Sequence, residues 1–132
     1  MEKVTMSNAE VIGLAECLNE MTKAGADMKP RTWFTLAANR KALIEKGKLI
    51  DEANTQINNK YKGEENGEQV IPKENLSKWQ EERAEVLAIQ VEVELYKLSL
   101  SDLEKEMPKM KGINNLYLLF DYMVDGDLET SK

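Results

Sequence analysis

The chemistry open to this chain is set first by a side chain it lacks. Among its 132 residues there is no histidine, which removes Ser-His and Cys-His nucleophile pairs and the commonest proton acceptor near neutral pH. One cysteine, Cys17, cannot build a zinc site by itself. It falls inside an amphipathic pattern, where a small buried hydrophobe fits better than a reactive thiol. The glycines are scattered singly, so no phosphate-cradling loop is present. Carboxylates are plentiful, and Glu81, Glu82 and Glu85 must be weighed as a two-acid or magnesium site. On one predicted helix they read better as a solvated face. Asp125-Gly126-Asp127 resembles the start of a calcium loop, but the further oxygen ligands and the closing glutamate are missing. No catalytic residue, metal ligand or cofactor is predicted.

Trp33 and Trp79 could stack on a base or cage a ligand, yet both fall at helical spacing within apolar stripes, the pattern of core residues. The element that must carry Trp33 is the stretch Pro30 to Tyr61, which reads as one uninterrupted helix. Leu36, Leu43, Ile50 and Ile57 recur every seven residues, and Trp33, Arg40, Gly47, Asn54 and Tyr61 form a second track at the same interval. The first track is apolar throughout; the second is broken by Arg40, Gly47 and Asn54. Such a helix needs a partner, and the partner is expected within the same chain. A second arm from Glu74 carries Leu76, Trp79, Arg83, Val86 and Gln90 at spacings of three and four. Antiparallel return along the first arm is the simplest connection. Arg40 is then expected to meet Glu82 or Glu85 across the seam, and Gly47 to mark a close backbone approach or a bend.

Around this hairpin the remaining elements are short. Residues 2–6 alternate polar and apolar, as a strand would, and Ser7 with Glu10 reads as a capping box. The helix that follows has Val11, Leu14, Ala15, Leu18 and Met21 on one face and stops near Gly25. Asn66-Gly67 predicts a tight turn in a small hairpin. At Val91 the apolar period drops to two: Val91, Val93 and Leu95 predict a strand, with a bend before Leu98 and Leu100. That strand must pair with residues 2–6 or with another copy of the chain, and Val91, Val93 and Leu95 are the candidate interface for the second case. Ser101 with Glu104 repeats the capping-box signal before a short helix closed by Pro108. Leu116, Leu119, Phe120 and Met123 predict a last apolar helix face, buried or docked on a partner, and residues 125–132 read as an acidic tail. The fold class is mainly α with a small β component, built as one domain over residues 1–124.

The net charge of −6 disfavours sequence-independent attraction to nucleic acid. The charge is uneven: residues 30–62 hold seven Lys/Arg against three Asp/Glu, and residues 63–107 hold five against twelve. Mutual attraction of the two arms accounts for this simply; a nucleic-acid stripe using Lys41, Lys46, Lys48, Lys60 and Lys62 is the sharper alternative. There is no apolar signal core and no stretch long enough to span a membrane. With one unpaired cysteine, a reducing cytoplasm is expected.

The order Ser7-Asn8-Ala9-Glu10-Val11, a Lys-rich long helix, Glu65-Asn66-Gly67-Glu68, Glu92-Val93-Glu94-Leu95 and Ser101-Asp102-Leu103-Glu104 resembles a family of small phage and prophage proteins of Gram-positive bacteria. The resemblance covers about the first 105 residues, rests on order and texture, and implies a bacterial cytoplasmic setting. The expected role is a non-enzymatic, self-associating protein-interaction module, an assembly accessory or chaperone-like factor with a phage or host protein as its partner. The alternative is an acidic inhibitor of a host defence or nucleic-acid-binding protein.

Overall fold

A computed structural model describes residues 1–23 and 27–125. The order is β1 (Glu2–Ser7), α1 (Asn8–Lys23), α2 (Pro30–Tyr61), β2 (Gly63–Glu65), β3 (Glu68–Val70), a 3-10 turn (Lys73–Asn75), α3 (Leu76–Ala88), β4 (Gln90–Leu95), β5 (Leu98–Ser99), α4 (Leu100–Glu104), a second 3-10 turn (Met107–Met110), α5 (Leu116–Met123) and β6 (Val124–Asp125). It is mainly α with a small β component, as the periodicity predicts. The expected stop at Gly25 and the tail from residue 126 lie outside the described residues, while Asp125 pairs with Ser99 in a parallel β5–β6 bridge.

The axis of the fold is α2, 32 residues long and therefore about 48 Å. Pro30 occupies its first turn, where a missing N–H costs nothing. Leu36, Leu43, Ile50 and Ile57 are all buried, so the unbroken heptad track is the inner edge of the rod. Two helices, not one, cover that edge. α1 brings its end, at Thr22, against Trp33 and Arg40 near the start of α2, and α3 brings its start, at Asn75 and Trp79, against Tyr61 and Asn58 near the end of α2, so both run back along it. They meet at Asn8, whose side chain donates to the Val86 carbonyl (2.8 Å) and whose backbone N–H donates to the Ile89 carbonyl (2.9 Å). α3 has 13 residues, so it retraces only about 20 Å from the end of α2. None of its residues is fully buried, and Val86, expected in the seam, is half-buried.

The reach of α3 explains the corrections in the second track. Glu82 pairs with Lys60 (3.0 Å) and accepts from the Tyr61 hydroxyl near the far end of α2, too distant for Arg40. Arg40 instead donates to the Thr22 hydroxyl of α1 (2.6 Å). A Cβ added at Gly47 would meet nothing within 4 Å, so this glycine marks no close approach. Trp33 is not a core residue, being 41% exposed. Asn54 does lie in the seam, with its side-chain oxygen buried and without a hydrogen-bond partner, as is Nε of Arg83. The Arg83 guanidinium lies 4.8 Å from the centre of the Trp79 ring, and the Trp79 indole N–H donates to Asn58 (2.8 Å).

The strands resolve the choice left open by their pattern. β1 and β4 pair antiparallel over their full length, with Val4 opposite Val93 and Met6 opposite Val91. Val93 and Leu95 are buried and Val91 is half-buried and packed against the core, so within the chain these residues belong to the core and β1 supplies the mate that β4 needs. The hairpin at Asn66-Gly67 forms as predicted, both residues having positive φ (53° and 81°), which glycine tolerates at no steric cost. The capping box at Ser7 also forms: the Glu10 N–H donates to the Ser7 hydroxyl (3.2 Å) and the Ser7 N–H to the Glu10 carboxylate (2.9 Å). The second cap is shifted from Ser101 to Ser99, whose hydroxyl accepts from the Asp102 N–H (3.2 Å). The β5–β6 bridge ends at Ser99, so the helix starts two residues early and runs only to Glu104. α5 packs Leu118, Leu119 and Met123 into the core beside Val11, Leu14, Leu18, Leu36 and Leu43.

Candidate functional site

The feature that stands out from the core is on the outer side of α2. Its inner edge is committed to α1 and α3, yet its first half also carries large apolar side chains away from that edge. Phe34 is 61% exposed, Ile44 47% and Trp33 41%; Tyr96, following β4, is 40% exposed and stacks edge-on against Phe34 with ring centres 6.5 Å apart. Trp33, Phe34 and Ile44 line a shallow groove of about 520 Å³ together with the small Ala37 and Ala38 and the charged Arg40, Lys41 and Glu45.

Two of these side chains, Tyr96 and Trp33, are tied to buried residues. Asn39, almost fully buried, makes a two-way clamp on the strand end: its amide donates to the Tyr96 carbonyl (2.8 Å) and its oxygen accepts from the Tyr96 N–H (2.8 Å). This satisfies backbone groups that have left the β1–β4 ladder and fixes the Tyr96 ring beside Phe34. On the opposite flank Thr22 does similar work for two residues. Its carbonyl accepts from the Trp33 indole N–H (3.4 Å) and its hydroxyl from Arg40. Trp33 and Arg40 of the groove are thus tied to α1, and Phe34 packs against a Tyr96 fixed at the β4 end, so that these side chains lose less freedom when covered. Among the described residues neither Arg40 nor Lys41 makes an ion pair.

Of the predicted site residues, Trp33 and Arg40 reach this groove, though neither plays the role expected of it. Leu36, Leu43, Ile50 and Ile57 face inward, and Trp79, Arg83 and Val86 lie on α3. Phe34, Asn39, Ile44 and Tyr96 were not read from the sequence as site residues. Phe34 and Ile44 do leave a signal, because bulky apolar residues off a helix's buried stripe have no structural use there. Asn39 leaves none, since its partner is 57 residues away.

A cleft of about 400 Å³ lies between the end of α2, the small hairpin and α3, lined by Thr55, Asn58, Asn59, Lys62, Gln69 and Trp79 among others. Its indole N–H is already taken by Asn58. Among the described residues no group of three or more His, Cys, Asp or Glu could hold a metal ion, and no helix is long and apolar enough to cross a membrane. Glu10 titrates below the ordinary carboxyl range, chiefly because the Ser7 N–H bonds to it and then because the Tyr122 hydroxyl does; Tyr122 in turn is pushed up to about 12 by that bond and by burial. This pair joins the first turn of α1 to α5, away from the groove. Burial, followed by the nearby Glu20 charge, raises Cys17 to about 11.

Comparison with known proteins finds no matching family model, no matching curated protein and no matching solved structure. The geometry of the groove therefore carries the functional reading alone.

Proposed function

We propose that this protein is a non-enzymatic protein-interaction module whose docking face is the outer side of the first half of α2. The observation that carries this reading is the groove lined by exposed Trp33, Phe34 and Ile44 beside Arg40, with exposed Tyr96 packed against Phe34 and with buried Thr22 and Asn39 tying Trp33, Arg40 and Tyr96. Tryptophan, tyrosine and arginine are the residue types that dominate binding energy at protein interfaces. Preorganised aromatic anchors beside small residues are of more use for binding than for solubility. The setting we infer, from the resemblance of the element order, is that of a phage or prophage protein in a bacterial cell.

The expectation of self-association rested on a strand lacking a mate in its own chain, and β1 now fills that place. The module is accordingly read as binding a different protein. A photo-cross-linking residue at Phe34, compared with one at the exposed Tyr117 of α5, tests this in cells that make the protein. A discrete adduct with another protein from position 34, absent from position 117, is expected. Matching adduct patterns, or none from position 34, would contradict the reading.

One observation keeps the acidic-inhibitor reading alive as a second proposal. Glu82 is the one carboxylate of α3 that pairs with α2 among the described residues, so Glu74, Glu81, Glu85, Glu92 and Glu94 remain exposed instead of neutralising the basic arm. Salt-sensitive binding of a basic protein that survives Phe34→Asp would favour it.

A further inference from the structure

From the groove we infer the kind of partner it takes: an amphipathic helix with acidic residues flanking its apolar stripe, contributed by a different protein. The inference rests on the docking face proposed above and adds what covers it.

The conformation follows from backbone accounting. The groove is lined by an α-helix, whose own N–H and C=O groups are used internally, so it offers no edge on which a strand could be added. An extended peptide laid there would turn its backbone groups toward Ala37, Ala38 and the aromatic side chains without partners. A helix satisfies its own backbone and presents only side chains. Ala37 and Ala38 permit close approach, and from Phe34 to Ile44 the groove runs about 15 Å, the length of roughly three helical turns. A partner with apolar residues at i, i+3 or i+4, and i+7 spans it.

The sign of the partner's charge follows from the charged lining. Arg40 and Lys41 line the groove without ion pairs among the described residues, with Arg31 exposed one turn before Phe34; Glu45 is the single acid of the lining and is engaged by Lys48 at 3.0 Å. The local excess is positive although the chain as a whole carries −6. The same excess argues against a second copy as occupant. A two-fold contact through this face would bring together two patches of the same net positive sign, which an acidic partner does not.

The test uses the full-length protein and three labelled peptides of about 15 residues, read by fluorescence anisotropy at low and at physiological salt. The first has a Leu/Phe stripe at helical spacing and glutamate elsewhere; the second replaces every glutamate by lysine; the third is acidic with its apolar residues at alternate positions. The first should bind about tenfold tighter than the second at low salt, with the gap narrowing as salt rises. It should also bind tighter than the third. Lys41→Glu should shrink the gap between the first two, and Phe34→Asp should abolish binding. Equal or tighter binding of the lysine or alternating peptide, or no binding by the first, overturns the inference. A concentration-dependent dimer that Phe34→Asp dissolves overturns it as well, in favour of a second copy. The docking face fails separately, through absence of a cross-link from position 34; a cross-link there together with silent peptides removes the partner's chemistry alone.

Discussion

Leu43 and Leu49 lie six residues apart on one helix, and the fold assigns them opposite fates. Leu43 is fully buried beneath α1, whereas Leu49 is 70% exposed. Leucine and alanine have similar helix propensities, so the same Leu→Ala change at each position isolates burial. At Leu43 it removes three carbons, worth about 0.8 kcal/mol each by transfer, or about 2.4 kcal/mol. Incomplete collapse of the space left behind adds roughly 1–2 kcal/mol, bringing the loss to about 3–4 kcal/mol. With an urea dependence of about 1.5–2 kcal/mol per molar for a domain of this size, the unfolding midpoint should fall by about 2 M. Leu49→Ala should stay within about 0.5 kcal/mol of the parent. Far-UV circular dichroism and tryptophan fluorescence, followed together in urea, measure both shifts and check that unfolding is two-state. If the two variants shift alike, or Leu43→Ala costs less than about 1 kcal/mol, the heptad track is not the inner edge of α2 and the assignment of its outer face fails with it.

Two glycines should respond in opposite directions. Gly47→Ala meets open space in a helix interior and should stabilise by about 0.5–1 kcal/mol. Gly13→Ala drives a methyl to 2.8 Å from Cδ1 of the buried Leu118, so about 1–3 kcal/mol of overpacking outweighs the roughly 0.5–1 kcal/mol of helix propensity and the net change should be about 0–2 kcal/mol destabilising; both are read from thermal melts. Glu10 titrates lower in the folded protein than its ordinary value of 4.5, so the stability it lends is fully present above that value and is lost as pH falls through its own lower one. Glu10→Gln should remove that part of the acid dependence of the urea midpoint. Cys17, buried and raised to about 11, should resist a thiol reagent at pH 8 until the protein is unfolded; rapid reaction of the native form would place the thiol at the surface.

The parts of the fold legible in the sequence are those fixed by local chemistry. Pro30, the heptad of Leu36, Leu43, Ile50 and Ile57, and the stop at Lys62-Gly63 delimit α2 without reference to anything distant. Ser7 with Glu10 and Asn66 with Gly67 encode a cap and a turn within four residues each. What escaped depends on length and on long-range pairing. Periodicity identified a second arm but could not show that α3 would stop after 13 residues, leaving α1 to cover the rest and placing Arg40 against Thr22. Trp33 shares a heptad interval with seam residues, but a straight helix drifts by about 20° per heptad relative to a strict repeat, and residues on a track's margin are carried outward. The clamp of Asn39 on Tyr96 joins elements with no common pattern. The docking face was hidden for that reason: half of its anchors lie off the seam and the rest are positioned from elsewhere in the chain.

The central claim is that α2 holds the fold together with one side and holds a partner with the other. The double variant Phe34→Asp/Ile44→Asp tests it most directly when it carries a photo-cross-linker at Ala38 and is compared with an otherwise parental chain carrying the same cross-linker. The account predicts a melting temperature within about 5 °C of the parent, since both side chains are exposed, together with loss of the cross-linked partner. A persistent adduct at undiminished yield, or a melting temperature lowered by more than about 10 °C, would contradict it.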